Sequence, residues 1–267
     1  MTQPFTKLQW QRSTPMQRII HSMILIAGWA ALIWSFKTIS IIPEFLYDAP
    51  EQAADLFVRM WPFDWSYYPK VVHAALIETF HIATLGTLLA LILALPLAFL
   101  SARTLIRSPF LNWCAQVLFV SSRSVNSLIW ALLFVAIFGP GALAGVMSIA
   151  FRSIGFIGKL FGEALEEAQQ GPIDALVASG TSFPVVLTKA VWPQVEPAFW
   201  SVALLRWDIN IRESAVLGLV GAGGIGVALD DALSNLYWDQ VGLIMAVIFV
   251  VVVVVEILTS SIRARLI

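Results

Sequence analysis

Long apolar runs separated by short polar stretches dominate the chain, and each run is about long enough to cross a bilayer as a helix, which takes about 20 residues. The pattern predicts spans over 19–36, 71–100, 112–138, 142–160, 198–220 and 241–262. Gly139-Pro140-Gly141 marks a turn between the third and fourth. The fifth is less clean, because charges interrupt it. The sixth contains the unbroken run Val250 to Val255; β-branched residues favour strand, but the length and setting of the run favour helix. The first run is long for the apolar core of a signal peptide, and no small-x-small cleavage site follows it.

Composition points the same way. Of 267 residues, 59% are hydrophobic and 12% charged, more apolar and less charged than a water-soluble exterior allows. The expected fold is therefore an all-α integral membrane protein of about six transmembrane helices. The net charge of -1, without a basic cluster, gives no sign of nucleic-acid binding. Cys114 stands alone, so it builds neither a disulfide nor a cysteine metal site within one chain. His21, His73 and His81 are scattered, without ligand spacing.

Lys and Arg in short loops set orientation. Lys7, Arg12 and Arg18 precede the first span, Arg103 and Arg107 follow the second, and Arg263 and Arg265 follow the last. Asp230, Asp231 and Asp239 lie between the fifth and sixth without a cation. Both termini are thus expected in the cytoplasm, with Trp61, Trp65, Tyr67 and Tyr68 at the outer interface. Residues 1–70 form an N-terminal part and 71–267 the core.

One cytoplasmic stretch breaks the apolar rhythm, from Glu163 and Glu166 through Gly171-Pro172 to Trp192-Pro193. Pro172 is placed at a first helical position and Asp174 in a first turn, where its charge suits the helix dipole. Gly180 lets the chain turn, and a second short helix is expected to end before Pro193. A plain interfacial connector is the competing reading.

The spacing resolves that choice through a resemblance. Asp174-Ala175-Leu176, three residues, Gly180, nine residues, then Ala190-Val191-Trp192-Pro193 is similar to the cytoplasmic loop of ABC importer permeases, which reads Glu-Ala-Ala, Gly and Ile-x-Leu-Pro at the same spacing. The departures are Asp for Glu, Leu for the second Ala, and Ala190 and Trp192 near the exit. Glu78 to Ala83, Lys159-Leu160-Phe161, Arg206 to Arg212 and Leu217 to Gly226 resemble permeases of phosphonate importers and their phosphite and hypophosphite relatives. The likeness covers roughly 70–265. It implies a type I importer permease fold, with a coupling helix within about 163–190 in which Glu166, Asp174, Ala175, Leu176, Gly180 and Pro193 take part. It also implies a homodimer of permeases in the bacterial inner membrane, two cytoplasmic ATPase subunits that carry ATP and Mg, and an external solute-binding protein. This chain would bind no cofactor and carry out no catalysis.

Charges within spans need protein or water beside them. Ser122 and Arg123 in the third span, and Arg206 and Arg212 in the fifth, are candidates for a path that carries an oxyanion. Mutual pairing of Arg206 with Asp208, or of Arg212 with Glu213, is the alternative. Gly221-Ala222-Gly223-Gly224-Ile225-Gly226 satisfies G-x-G-x-x-G, but no βαβ unit surrounds it. Gly221, Gly223 and Gly224 fit either an anion nest on the path or a tight turn. No phosphate-binding loop for a nucleotide exists, since Gly158-Lys159 lacks the earlier Gly. An ion-coupled transporter of a small anion is the other function class weighed; no internal repeat supports it. An enzyme would need a nucleophile–base or metal constellation, and none is apparent.

Overall fold

The computed structural model describes residues 15–39, 43–106 and 108–265. Lys7, Arg12 and Arg107, which entered the orientation argument, lie outside the described residues. Every regular element described is helical. The chain divides into a unit of residues 1–55 and a unit of residues 56–267. In the first, α1 (Pro15–Thr38) is exposed along its described length. Helix α2 (Pro43–Met60) begins there and ends in the second unit.

The second unit is built on α3 (His73–Ser101), which follows a π turn over Tyr68–Val72. Its buried residues, among them Ala83, Gly86, Thr87, Ala90, Ala94 and Ala98, recur every three or four positions. They form a narrow stripe of small side chains on a helix apolar all round. Lipid tails are as apolar as leucine, so helices in a membrane associate by close packing rather than by escape from water. Helix α6 (Ala142–Glu166) supplies the matching surface. A Cβ built on Gly86 of α3 would lie 2.6 Å from Ile149 Cγ2 of α6.

Two expected spans are not single straight helices. The third is broken into α4 (Pro109–Ser124) and α5 (Ser127–Phe138), bent by 93°. Val125 and Asn126 are extended at the break, and the Asn126 side chain caps α5 by accepting from the Leu128 N–H at 3.1 Å. The polar run Ser121 to Asn126 made this break legible as polarity but not as a bend. The fifth span starts earlier than 198. Helix α8 (Phe183–Val186) passes through a π turn over Leu187–Val191 into α9 (Trp192–Leu217). The expected stop before Pro193 is therefore corrected. Pro193 sits at the second position of α9, and the π turn lies where its missing N–H would have bonded the carbonyl four residues back.

After α9 the chain turns through Gly221 to Gly224 into α10 (Ile225–Ser234), bent by 41° from the preceding helix, and ends in α11 (Trp238–Arg263). Among the described residues, four helical stretches are long and apolar enough to span a bilayer, or up to six if each bent pair forms one span.

Candidate functional site

Beyond α6, the polar loop folds as α7 (Gln170–Ala178), a turn at Ser179 to Ser182, and α8. Gly180 takes φ +73°, a left-handed conformation that glycine adopts without strain, with nothing within 4 Å of a Cβ built there. Helix α7 starts at Gln170, so Pro172 is its third residue and Asp174 falls beyond the first turn, later than expected. No residue of α7 is buried. Asp174 and Ala175 are exposed and Leu176 is partly exposed. The base of the loop is closed by side chains: Gln194 Oε1 accepts from the Gln169 N–H at 2.9 Å, and Glu166 Oε1 from the Arg103 N–H at 2.9 Å. The result is a largely exposed helix on a braced base, anchored through Ile173 against the core cluster that holds Leu165 and Ala168.

Charged side chains converge between the middle of α6 and the C-terminal half of α9. Arg152 lies ten residues into α6, about 15 Å along its axis at the usual rise per residue. Its Nη1 is ion-paired with Glu213 Oε1 and also donates to Ser127 Oγ at 3.3 Å. Glu213 Oε2 meets Arg206 Nη2 at 3.3 Å. The side chain of Arg206 is only 3% exposed; its Nε donates to Ser153 Oγ at 2.9 Å and its guanidinium lies 5.3 Å from the centre of the Phe156 ring. Beneath it, Asn210 Nδ2 donates to Thr87 Oγ1 at 2.8 Å and to Ser153 Oγ at 3.1 Å, which ties α3, α6 and α9 together. On the next turn, Arg212 is ion-paired with Asp208, whose Oδ1 is buried without a partner among the described residues.

The pairing differs from both expected alternatives. Residues one or two apart on a helix point away from each other, whereas those four or seven apart share a face. Arg212 therefore reaches Asp208, and Arg206 reaches Glu213. Arg152, Ser127 and Asn126 were not among the path candidates read from sequence, and Glu213 entered there only as a pairing partner for Arg212. The signal that could have found them was the cation in the middle of the fourth span, Arg152, which needed an acid from elsewhere. Arg152, Arg212, Glu213, Asn126 and Ser127 line an open recess of about 560 Å³ at the α4–α5 break.

The other candidates lie elsewhere. Ser122 is buried, its Oγ donating to the Phe151 carbonyl and accepting from the Gly155 N–H at 3.2 Å. It holds the end of α4 against the turn of α6 that carries Arg152. Arg123 is exposed and lines a second recess of about 180 Å³ with Gln116, Lys159, Glu163 and Glu166. Its guanidinium makes no hydrogen bond or ion pair among the described residues. Gly221, Gly223 and Gly224 all have positive φ and form a tightly packed turn. A Cβ on Gly223 would meet Glu78 Oε1 at 2.9 Å, and one on Gly224 would meet Thr79 Oγ1 at 2.6 Å. Glu78 and Thr79 of α3 thus pack closely against this turn.

The family described as the binding-protein-dependent transport system inner membrane component matches residues 71–266. The phosphite transport system permease protein PtxC of Stutzerimonas stutzeri is 35% identical over 256 residues, which is 96% of this chain and 90% of that protein. The phosphate-import permease protein PhnE of Mycolicibacterium smegmatis is 39% identical over 233 residues, covering 87% of this chain and 44% of that protein. Among solved structures, the fold is similar to that of the inward-facing MetNI methionine ABC transporter, with a TM-score of 0.62 at 18% identity over 74% of this chain and 96% of that one. A permease subunit accounts for the helix-only fold, the intramembrane charges and the exposed polar loop. The chain belongs to the binding-protein-dependent transport system inner membrane component family.

Proposed function

We propose that this chain forms the membrane path of an ATP-driven importer for a small phosphorus oxyanion, with phosphite, phosphonate, hypophosphite and phosphate as the candidate cargoes. The carrying observation is the recess in which Arg152 and Arg212, from two helices, converge with Ser127 and Asn126 beside the N-terminus of α5. Guanidinium groups, hydroxyls and a helix N-terminus are the donors that suit a tetrahedral oxyanion. The names of the phosphite and phosphate relatives support the same chemistry. Phosphate enters the set through the mycobacterial relative alone.

The recess also bears on assembly. Charges at the middle of a span cost about 2.5–3.5 kcal/mol each against lipid on insertion scales. A second permease copy facing the recess removes that cost and encloses a path, which favours a homodimer. Arg123 and Lys159, in the recess between α4 and α6, continue the route toward the cytoplasmic end. Arg206 braces the helices, and the glycine turn closes their outer end. Both termini face the cytoplasm, as the loop charges require.

The loop of residues 163–190 docks an ATPase subunit through α7, and an external binding protein delivers the cargo. ATP and Mg reside on the ATPase. The test is ATPase activity of the complex in lipid, with its ATPase and loaded binding protein, for wild type and Gly180→Trp. Stimulation by the loaded binding protein in wild type and its loss in a folded variant support the coupling role. Varying the oxyanion then identifies the cargo. A chain that neither assembles with an ATPase nor moves any of the four oxyanions sinks the proposal.

A further inference from the structure

We infer that Glu213 is a built-in counter-anion that holds Arg152 while the path is empty and yields it to the cargo during transit; this rests on the oxyanion reading above. The geometry is asymmetric in a way that a simple brace does not need. Each Glu213 oxygen serves a different cation, Oε1 for Arg152 and Oε2 for Arg206. Arg206 is locked, with Ser153 on its Nε and the Phe156 face beside it. Arg152 is not: its side chain is 27% exposed, it lines the open recess, and its other partner is the Ser127 hydroxyl on the opposite wall. When Arg152 turns to an incoming oxyanion, Glu213 keeps Arg206 and no buried carboxylate is stranded.

The resting cluster is balanced: Arg152, Arg206 and Arg212 face Asp208, Glu213 and, at the exposed rim, Glu256. An incoming oxyanion therefore gains Arg152 only by displacing a carboxylate that already holds it. A path must also release what it binds. A carboxylate waiting beside the binding cation does this by competition, since it reclaims Arg152 as the cargo leaves.

The experiment measures equilibrium binding of radiolabelled phosphite, with phosphate as a second probe, to the permease–ATPase complex in nanodiscs without binding protein or ATP. ATP-driven uptake of the same anions is followed in proteoliposomes with the binding protein. Removing one like charge beside the site strengthens anion binding, so Glu213→Gln should tighten it by about tenfold or more while slowing uptake. Arg152→Gln should abolish binding, and Arg152→Lys should keep weakened binding; both leave the Glu213–Arg206 pair intact and decide the matter if Glu213→Gln does not assemble. The inference is overturned if Glu213→Gln binds as wild type does, or if Arg152→Gln still binds. Wild type that takes up none of these anions refutes the cargo reading instead, which separates the two failures.

Discussion

The guanidinium of Arg152 on α6 is ion-paired with the carboxylate of Glu213 on α9, 61 residues further along the chain. Glu213 in turn reaches Arg206, so one acid on α9 ties α6 to its own helix and serves two cations. Removing one partner of a buried pair leaves charge without compensation, typically at a cost of about 3–5 kcal/mol. Arg206→Gln retains the Arg152–Glu213 pair, so its cost should sit near 3 kcal/mol, the low end of that range. Thermal unfolding of the purified complex should show a clear drop in Tm for Arg206→Gln. Lys159→Gln breaks only an exposed pair with Glu163 and should change stability by less than about 0.5 kcal/mol. Equal effects would remove the bracing role.

Close packing between α9 and α10 gives a second expectation. A Cβ on Gly226 of α10 would lie 2.2 Å from the Ala215 carbonyl oxygen and 2.7 Å from Gly218 Cα. Backbone atoms cannot swing aside, so Gly226→Ala must separate α10 from α9, at a cost of about 1–3 kcal/mol. Gly171 on α7 has nothing within 4 Å and no unusual φ, and Gly171→Ala should be silent. Protease resistance of the two variants in detergent distinguishes them, and a stable Gly226→Ala would count against this packing.

Thr79 on α3 carries a third. Its hydroxyl donates to the Ala75 carbonyl at 2.8 Å and accepts from the Ile225 N–H at 2.8 Å, capping α10 from 146 residues away. Thr79→Val keeps the shape and leaves that buried N–H unpaired, a loss of about 1–3 kcal/mol. Thr79→Ser retains the hydroxyl and should recover most of it. Hydrogen exchange at the first turn of α10 should accelerate in the valine variant only.

The exposed loop between α6 and α9 yields a fourth. Val177 on α7 is 59% exposed and Phe183, at the start of α8, is 57% exposed. Exposed apolar side chains at the surface of a braced loop cost little to replace, within about 0.5 kcal/mol. Val177→Asp should therefore leave the Tm of the isolated permease unchanged and abolish co-purification with the ATPase. Intact assembly with a normal ATPase response would place the docking contacts elsewhere.

Spans and the loop between the fourth and fifth were legible in the sequence because both depend on local composition. Lipid imposes a length and an apolarity on each helix, and Asp174 to Pro193 breaks that rule over a spacing with few alternatives. Resemblance then supplied the type of assembly, which periodicity alone does not specify. The bend after Ser124 was not legible, because Ser121 to Asn126 reads equally as a polar face or as a break until Asn126 is seen capping α5. Nor was the continuation through Pro193, where a π turn absorbs the missing N–H that suggested a stop. Arg152 and Glu213 show the same division most clearly. Sequence established that each charge within a span required a partner. Which partner it found depended on α6 and α9 packing side by side, a contact between residues 61 apart that no local pattern encodes.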